Sequence, residues 1–324
     1  FMIKRPLIID CDPGTDDAQC IMMLNACGLF DIRGITPVHG NVPLEFTSKN
    51  ALFLSKYYGI NRPVYKGAEE RLIVRLPRAE YVHGSNGLGG FEYDLNGLNF
   101  ADGKAWDFLY GEAVKQKGQL ELVAIGPLTN IAITIMKHPD FPKLIKKFVI
   151  MGGARTAGNA TPLAEFNIYQ DPHAAEIVFK AGFEDFTVVD LQCCMTAYLT
   201  KEEEEKLGAT PKNNSLCGLM HQVVRHRQEN LRKLKGTKYN DLAEQEGKKM
   251  VFCDAAAAAV MIDPTISKYQ DYYMMCETRG DKTFGQTVID RLGFAGTTNI
   301  HLALGVDRDR FRQLYFDCLK KYEV

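Results

Sequence analysis

PLIIDCDPGTDDAQCIMMLNACG, residues 6–28, contains the change of hydrophobic period that decides the fold. PLIID (6–10) is a short, unbroken apolar run, the pattern of a strand buried on both faces. DAQCIMMLNACG (17–28) is long enough for a helix and stops at Gly28. Pro13 and Gly14 supply the turn between them. The same alternation recurs along the chain. IRGITPV (32–38), LELVAIG (120–126), KFVIMGG (147–153) and FTVVDL (186–191) read as buried strands. FTSKNALFLSKYYG (46–59), TNIAITIMKH (129–138) and DPHAAEIVFKAG (171–182) read as helices. Such alternation predicts βαβ units in an α/β fold, with a mostly parallel, Rossmann-like central sheet flanked by helices. Ligands bind such sheets at the carboxyl ends of the strands. The aspartates, HGN (39–41), GPLTN (126–130) and MGG (151–153) all follow directly on a predicted strand.

The last third has another texture. Thr200 and Glu203 in TKEEEEKLG form the pattern of a capping box, so the glutamate run reads as a solvated helix and not a metal site. Residues 200–249 are polar and helical in pattern, a candidate cover with little core of its own. DAAAAAVMIDP (254–264) reads as a buried helix ended by Pro264. YMMCETRG, QTVIDR and NIHLALGVD suggest a small C-terminal β unit, closed by a helix at RDRFRQLYFDCLKKY. No internal repeat or low-complexity linker interrupts the chain, and a single domain over 1–324 is expected, with Phe1 an addition ahead of Met2. The formal net charge of −1 speaks against nucleic acid or an anionic membrane surface as partner. No apolar run reaches the ~18 residues that span a bilayer. Nine cysteines, with no CxxC pair, sit mostly in apolar segments and point to a reduced, cytoplasmic setting.

Four aspartates, Asp10, Asp12, Asp16 and Asp17, fall within eight positions at the end of the first strand. Helix capping accounts for Asp16 or Asp17, but it does not reach Asp10 and Asp12. Hard divalent cations take carboxylate oxygens, and a turn through Pro13–Gly14 would fold Asp12 and Asp17 back on one ion. The spacing is not that of an EF-hand, and no Walker lysine is present. Metal binding and structural capping both remain open on spacing alone. Glu165 and Asn167 stand two apart, and on an extended segment they would face the same way. With Asn41, Asn159, Thr129 and Asn130 they form a carboxylate- and amide-rich edge without arginine, suited to sugar hydroxyls and poor for phosphate. Each Asn taken singly also reads as a turn or cap residue.

DCDPGTDDA, HGN, HGSNGLGG, AIGPLTNIA, MGGA, GNATPLAEFNIYQDPHAAEIVF and CDAAAAAVMIDP, in this order from residue 7 to about 264, resemble the inosine–uridine-preferring nucleoside hydrolase family and its relatives. The resemblance implies the nucleoside hydrolase fold and Ca²⁺-dependent hydrolysis of ribonucleosides to ribose and free base. It implies one Ca²⁺ held by Asp12, Asp17, the backbone carbonyl of Thr129, and Asp254. The ion would carry the attacking water, and Asp12 would take its proton. Asp16, Asn41, Met151, Asn159, Glu165 and Asn167 match positions around the ribose, and Phe166 is a candidate for stacking on the base. Asp10 would orient the ligands from behind, and His83 matches a histidine near the base. Relatives of this fold are commonly dimers or tetramers and act in nucleoside catabolism or purine and pyrimidine salvage.

Two departures stand out. Where many members carry His just before the late aspartate, this chain has Cys253, a weaker donor whose part is either leaving-group acid or packing. The one tryptophan, Trp106, reads as a helix-face residue, so a tryptophan sandwich around the base is not available. His221, His226 and Tyr239 on the polar cover are further stacking candidates. The alternatives to nucleoside hydrolysis are a metal-dependent phosphatase, for which no lysine stands beside GPLTN or MGG, and a non-catalytic nucleoside- or ribose-binding protein.

Overall fold

The computed structural model describes residues 3–73, 86–88, 93–203 and 249–322. In chain order the strands are β1 (Arg5–Cys11), β2 (Phe30–Pro37), β3 (Leu120–Ala124), β4 (Ile145–Met151), β5 (Phe186–Val189), β6 (Tyr198–Thr200), β7 (Lys249–Val251), β8 (Ser267–Cys276), β9 (Thr287–Asp290) and β10 (Ile300–Val306). The α-helices are α1 (Asp17–Ala26), α2 (Leu44–Tyr57), α3 (Ala105–Lys115), α4 (Thr129–Lys137), α5 (Phe166–Gln170), α6 (Pro172–Phe179), α7 (Leu191–Cys194), α8 (Cys253–Ile262) and α9 (Arg308–Lys320). Eight strands form one sheet in the order β2-β1-β3-β4-β5-β10-β8-β9. Pairing is parallel from β2 through β10 and antiparallel for β10–β8 and β8–β9.

Alternation along each strand builds two cores. Leu7, Ile9, Val123, Val149 and Val189 point to the face covered by α1 and α8. Ile8, Leu122, Phe148, Ile150 and Val188 point to the other, covered by α3, α4 and α6. Each fully buried Leu or Ile contributes roughly 1.5–3 kcal/mol, enough in sum to hold the strand ends rigidly. The run Ala255–Ala259 is fully buried, and its small side chains let α8 lie close against α1. That contact carries the start of α8, and Asp254 with it, to the end of β1.

From β1 the chain goes to β2 on one side, while β3 flanks β1 on the other. The carboxyl ends of β1 and β3 therefore form a topological switch point, where parallel sheets open a crevice. The expected C-terminal β unit is the antiparallel edge of this same sheet, joined through β10, whose His301 and Leu302 pair with Thr187 and Val188 of β5. The capping box forms as expected: Glu203 N–H donates to Thr200 Oγ1 (3.3 Å) and Thr200 N–H to Glu203 Oε2 (2.9 Å). Residues 204–248 of the expected cover, with His221, His226 and Tyr239, lie outside the described residues, as does His83. No described helix is long and apolar enough to cross a membrane.

Candidate active site

Asp12 follows β1 directly and is wholly buried. Its Oδ2 accepts the Asn41 N–H at 2.7 Å, and its Oδ1 has no hydrogen-bond partner among the described residues. Two glycine loops close on this carboxylate. A Cβ on Gly40 would stand 2.0 Å from Oδ2, and one on Gly126 would stand 2.6 Å from Oδ1. Asp17 opens α1 and draws the loop together: its Oδ1 accepts Asp12 N–H (3.2 Å) and its Oδ2 accepts Gly14 N–H (2.9 Å) and Asn41 Nδ2 (3.3 Å). Asp16 occupies the N-cap position of α1 yet makes no capping bond, so capping explains neither residue. Asp254 lies in the first turn of α8, and carboxylate oxygens of Asp16, Asp17 and Asp254 lie within 4.8 Å of one another. Asp12 is outside that trio and adjoins it through its bond to Asp17.

Burial, then the Asp17 charge, pushes the Asp12 carboxyl far above the usual carboxylate range. Burial and then Asp16 lift Asp17 to about 8. Burial leads again for Asp254, followed by Asp16 and Asp17. Packed carboxylates that repel one another, with one buried oxygen unspent, are a donor set that fits a metal ion of the hard, oxygen-seeking kind. The orphaned Oδ1 supports the fit because, unlike the likewise unpaired Asp10 Oδ1, it belongs to a residue bonded to Asp17 of the acidic trio.

Asp10 serves the scaffold. Its Oδ2 accepts Thr36 Oγ1–H (2.7 Å) and Asn130 Nδ2 (2.8 Å), while burial raises its carboxyl to about 7. Asn130 Oδ1 in turn accepts Ala68 N–H at 2.8 Å. These bonds brace β1 against β2 and α4, and none of them runs to another aspartate. Thr129 is the first residue of α4. Its hydroxyl donates to Asp171 Oδ2 (2.8 Å) and lies 3.0 Å from His39 Nε2.

The second group of expected residues gathers at the ends of β3 and β4, with one correction. Glu165 and Asn167 do not share an extended segment, because α5 begins at Phe166 and Glu165 is its N-cap. The Glu165 carboxylate accepts the N–H groups of Asn167 (2.9 Å), Ile168 (3.2 Å) and Gly153 (2.9 Å). Burial outweighs these bonds and raises Glu165 to about 7. Asn167 Nδ2 donates to the carbonyls of Ile125 (3.0 Å) and Met151 (3.2 Å) and thereby ties the two strand ends. Asn159 is exposed and its Oδ1 accepts Phe166 N–H at 2.8 Å; Phe166 is half-buried. Cys253, half-buried at the start of α8, accepts the Cys194 thiol on its carbonyl (3.6 Å).

Sequence reasoning assigned no role to His39, Gly40, Gly126, Asp171 or Thr287. His39 and Gly40 stand in HGN and Gly126 in GPLTN, so their motifs were visible while their contacts were not. Asp171–Pro172 carried the signal of an N-cap followed by proline at N1. Thr287 gave none. Its hydroxyl accepts Ala154 N–H (2.9 Å) and donates to Ala154 O (2.8 Å), holding the MGGA turn from β9.

Residues 7–313 match the family model described as inosine–uridine preferring nucleoside hydrolase. The chain belongs to that family. It is accordingly a hydrolase. It is 35% identical over 308 residues to a non-specific ribonucleoside hydrolase RihC of Salmonella schwarzengrund, covering 95% of each chain. The RihC of Escherichia fergusonii is 33% identical over 321 residues, covering 98% of this chain and 99% of that one. Among solved structures, the purine-preferring ribonucleoside hydrolase from Gardnerella vaginalis superposes with a TM-score of 0.87 at 28% identity, and a plant nucleoside hydrolase, PpNRh1, with 0.85 at 28%. Both cover 98% of this chain and 99% of the other. Their fold is the α/β sheet described above.

Proposed function

We propose that this chain hydrolyses the N-glycosidic bond of ribonucleosides to ribose and free base, with a resident Ca²⁺ held by Asp12, Asp17, Asp254 and the Thr129 carbonyl. The observation that carries the reading is the buried, partnerless Asp12 Oδ1 beside an acidic trio at the switch point of a nucleoside hydrolase family member. When bound, the ion supplies Lewis acidity that favours hydroxide formation and orients the sugar diol. Asp12 Oδ1, without a donor among the described residues, accepts the proton of the attacking water. Asp16, uncommitted at its cap, takes a ribose hydroxyl, and Asn41 braces Asp12 and Asp17 at the same edge. Met151, Asn159, Glu165 and Asn167 line the sugar side, where a carboxylate stabilises the positive charge of an oxocarbenium-like transition state. Phe166 offers a ring to the base, and Cys253 is a proton donor for the leaving base among the described residues. The chain acts in nucleoside catabolism or base salvage in the cytoplasm, as a homodimer or homotetramer.

The test is release of reducing sugar from a panel of purine and pyrimidine ribonucleosides, with and without EDTA. Release that EDTA abolishes and added Ca²⁺ restores is expected. Phosphate release from phosphomonoesters with no nucleoside turnover would overturn the reading, and so would tight ribose binding without any release. Turnover indifferent to EDTA would remove the cation from it.

A further inference from the structure

Asp12 is gripped by two loops that come from opposite sides of β1. Gly40 crowds its Oδ2 and Gly126 its Oδ1, so the separation of the 39–41 and 126–129 loops sets where the free oxygen points. A side-chain bond joins these loops directly, that between His39 Nε2 and Thr129 Oγ1 at 3.0 Å. Both residues are fully buried. Thr129 has one hydroxyl proton, and it goes to Asp171 Oδ2 at 2.8 Å. The His39 Nε2 must then be the N–H donor, and the chain runs His39 to Thr129 to Asp171. Asp171 is itself held on both oxygens: Oδ2 also accepts Leu72 N–H (3.0 Å), and Oδ1 accepts Ala174 N–H (3.1 Å) at the start of α6.

We propose that His39, Thr129 and Asp171 form a positioning chain that locks the two glycine loops onto Asp12 and fixes the direction of its unpartnered oxygen. None of the three side chains touches the reacting atoms; the Thr129 part in the chain is its hydroxyl, distinct from the backbone carbonyl proposed as a Ca²⁺ ligand. The side chains act through Asp12, so the proposal rests on the reading of Asp12 given above. Buried supporting partners of this kind are typically worth about 10- to 100-fold in metal affinity or activity when removed. Asp12 tolerates little displacement, because its two oxygens already lie against backbone on both sides.

The experiment compares Thr129→Val, which keeps the branched shape and loses the hydroxyl, with Thr129→Ser, which keeps the hydroxyl. Each full-length variant is assayed for kcat and KM on a ribonucleoside, for Ca²⁺ affinity by calorimetry, and for fold by circular dichroism. For Thr129→Val, kcat is expected to fall about 10- to 100-fold and Ca²⁺ affinity to weaken by a similar factor, with KM within about twofold. Thr129→Ser should recover both to within about threefold of wild type. Should Thr129→Val not fold, His39→Met, of similar size and without a donor, carries the same expectation, and His39→Gln the rescue. A folded Thr129→Val with wild-type kcat and Ca²⁺ affinity overturns the proposal. A Thr129→Ser as impaired as Thr129→Val also overturns it, since packing and not the bond would then matter. Asp12→Asn, assayed in parallel, separates the two levels. Wild-type turnover there removes the reading of Asp12 and this proposal together, whereas an inactive Asp12→Asn beside an unimpaired Thr129→Val removes the positioning chain alone.

Discussion

Asp12 divides its oxygens: Oδ2 belongs to the scaffold through Asn41, and Oδ1 has no partner among the described residues. Asparagine in its place can keep the first contact and loses both the charge and the proton acceptor. Asp12→Asn is therefore expected to lower kcat by about 10²–10⁴-fold, while the melting temperature of the metal-free chain stays level or rises, because one of several repelling carboxylates is gone. Steady-state kinetics beside calorimetric melting in EDTA checks both halves, and unchanged turnover would sink the assignment. At this scale much was legible. Like charges clustered after an apolar run demand a counter-charge, and that demand is readable from spacing alone. Roles made by side chains that meet across the fold were not: His39 and Thr129 are 90 positions apart, and Thr129 and Asp171 are 42. Glu165 was misplaced for a different reason. N-caps are dominated by Ser, Thr, Asp and Asn, so a glutamate gives little warning that a helix starts at the next residue.

Helix α5 shows what an element can do with one buried carboxylate. The Glu165 carboxylate caps it by accepting the N–H groups of Asn167 and Ile168 and accepts a third from Gly153, so a five-residue helix is fastened to the end of β4. The charge comes at an energetic cost that depends on pH. In the fold Glu165 keeps its proton up to about 7, against 4.5 in the open chain. Folding is thus favoured below pH 4.5, and stability is lost as pH rises from 4.5 through 7, by about 3 kcal/mol at most. Glu165→Gln carries no such proton, so its melting temperature should fall less steeply than that of wild type between pH 5 and 8. Parallel slopes for the two chains, measured by thermal melting in EDTA, would show that Glu165 is ionised in the fold throughout. Most helices and strands were readable from hydrophobic period, with ends displaced by a few residues. Strand β1 was expected over 6–10 and runs Arg5–Cys11, while the DAQC helix ends at Ala26, short of Gly28. Helix ends fray and share bonds with turns, so period fixes their centres better than their limits.

The whole molecule turns a sheet topology into an electrostatic site. Reversal of strand order at β1 opens the crevice, α8 packs on α1 and brings Asp254 across to Asp17, and three stretches of chain converge there. Sequence period predicted the sheet and its parallel character. It could not give the order of strands, because pairings such as β10 with β5 join segments more than a hundred residues apart and are chosen by packing of the finished layers. The same convergence predicts how stability responds to the cation. Without metal, burial and mutual repulsion keep protons on these carboxyls to well above pH 4, Asp17 to about 8. The open chain releases those protons near 3.8, so unfolding sheds protons and the metal-free fold weakens as pH rises from about 4 to 8. A divalent cation displaces the same protons, and so binds better as pH rises. At Ca²⁺ a hundredfold above its dissociation constant the gain is about 2.7 kcal/mol, a rise of roughly 5 °C in Tm. The difference between Ca²⁺ and EDTA melts should widen steadily from pH 6 to 8, as Asp17 loses its proton in the metal-free fold. A difference that is absent, or that narrows with rising pH, would mean that these aspartates are held apart by something other than a cation.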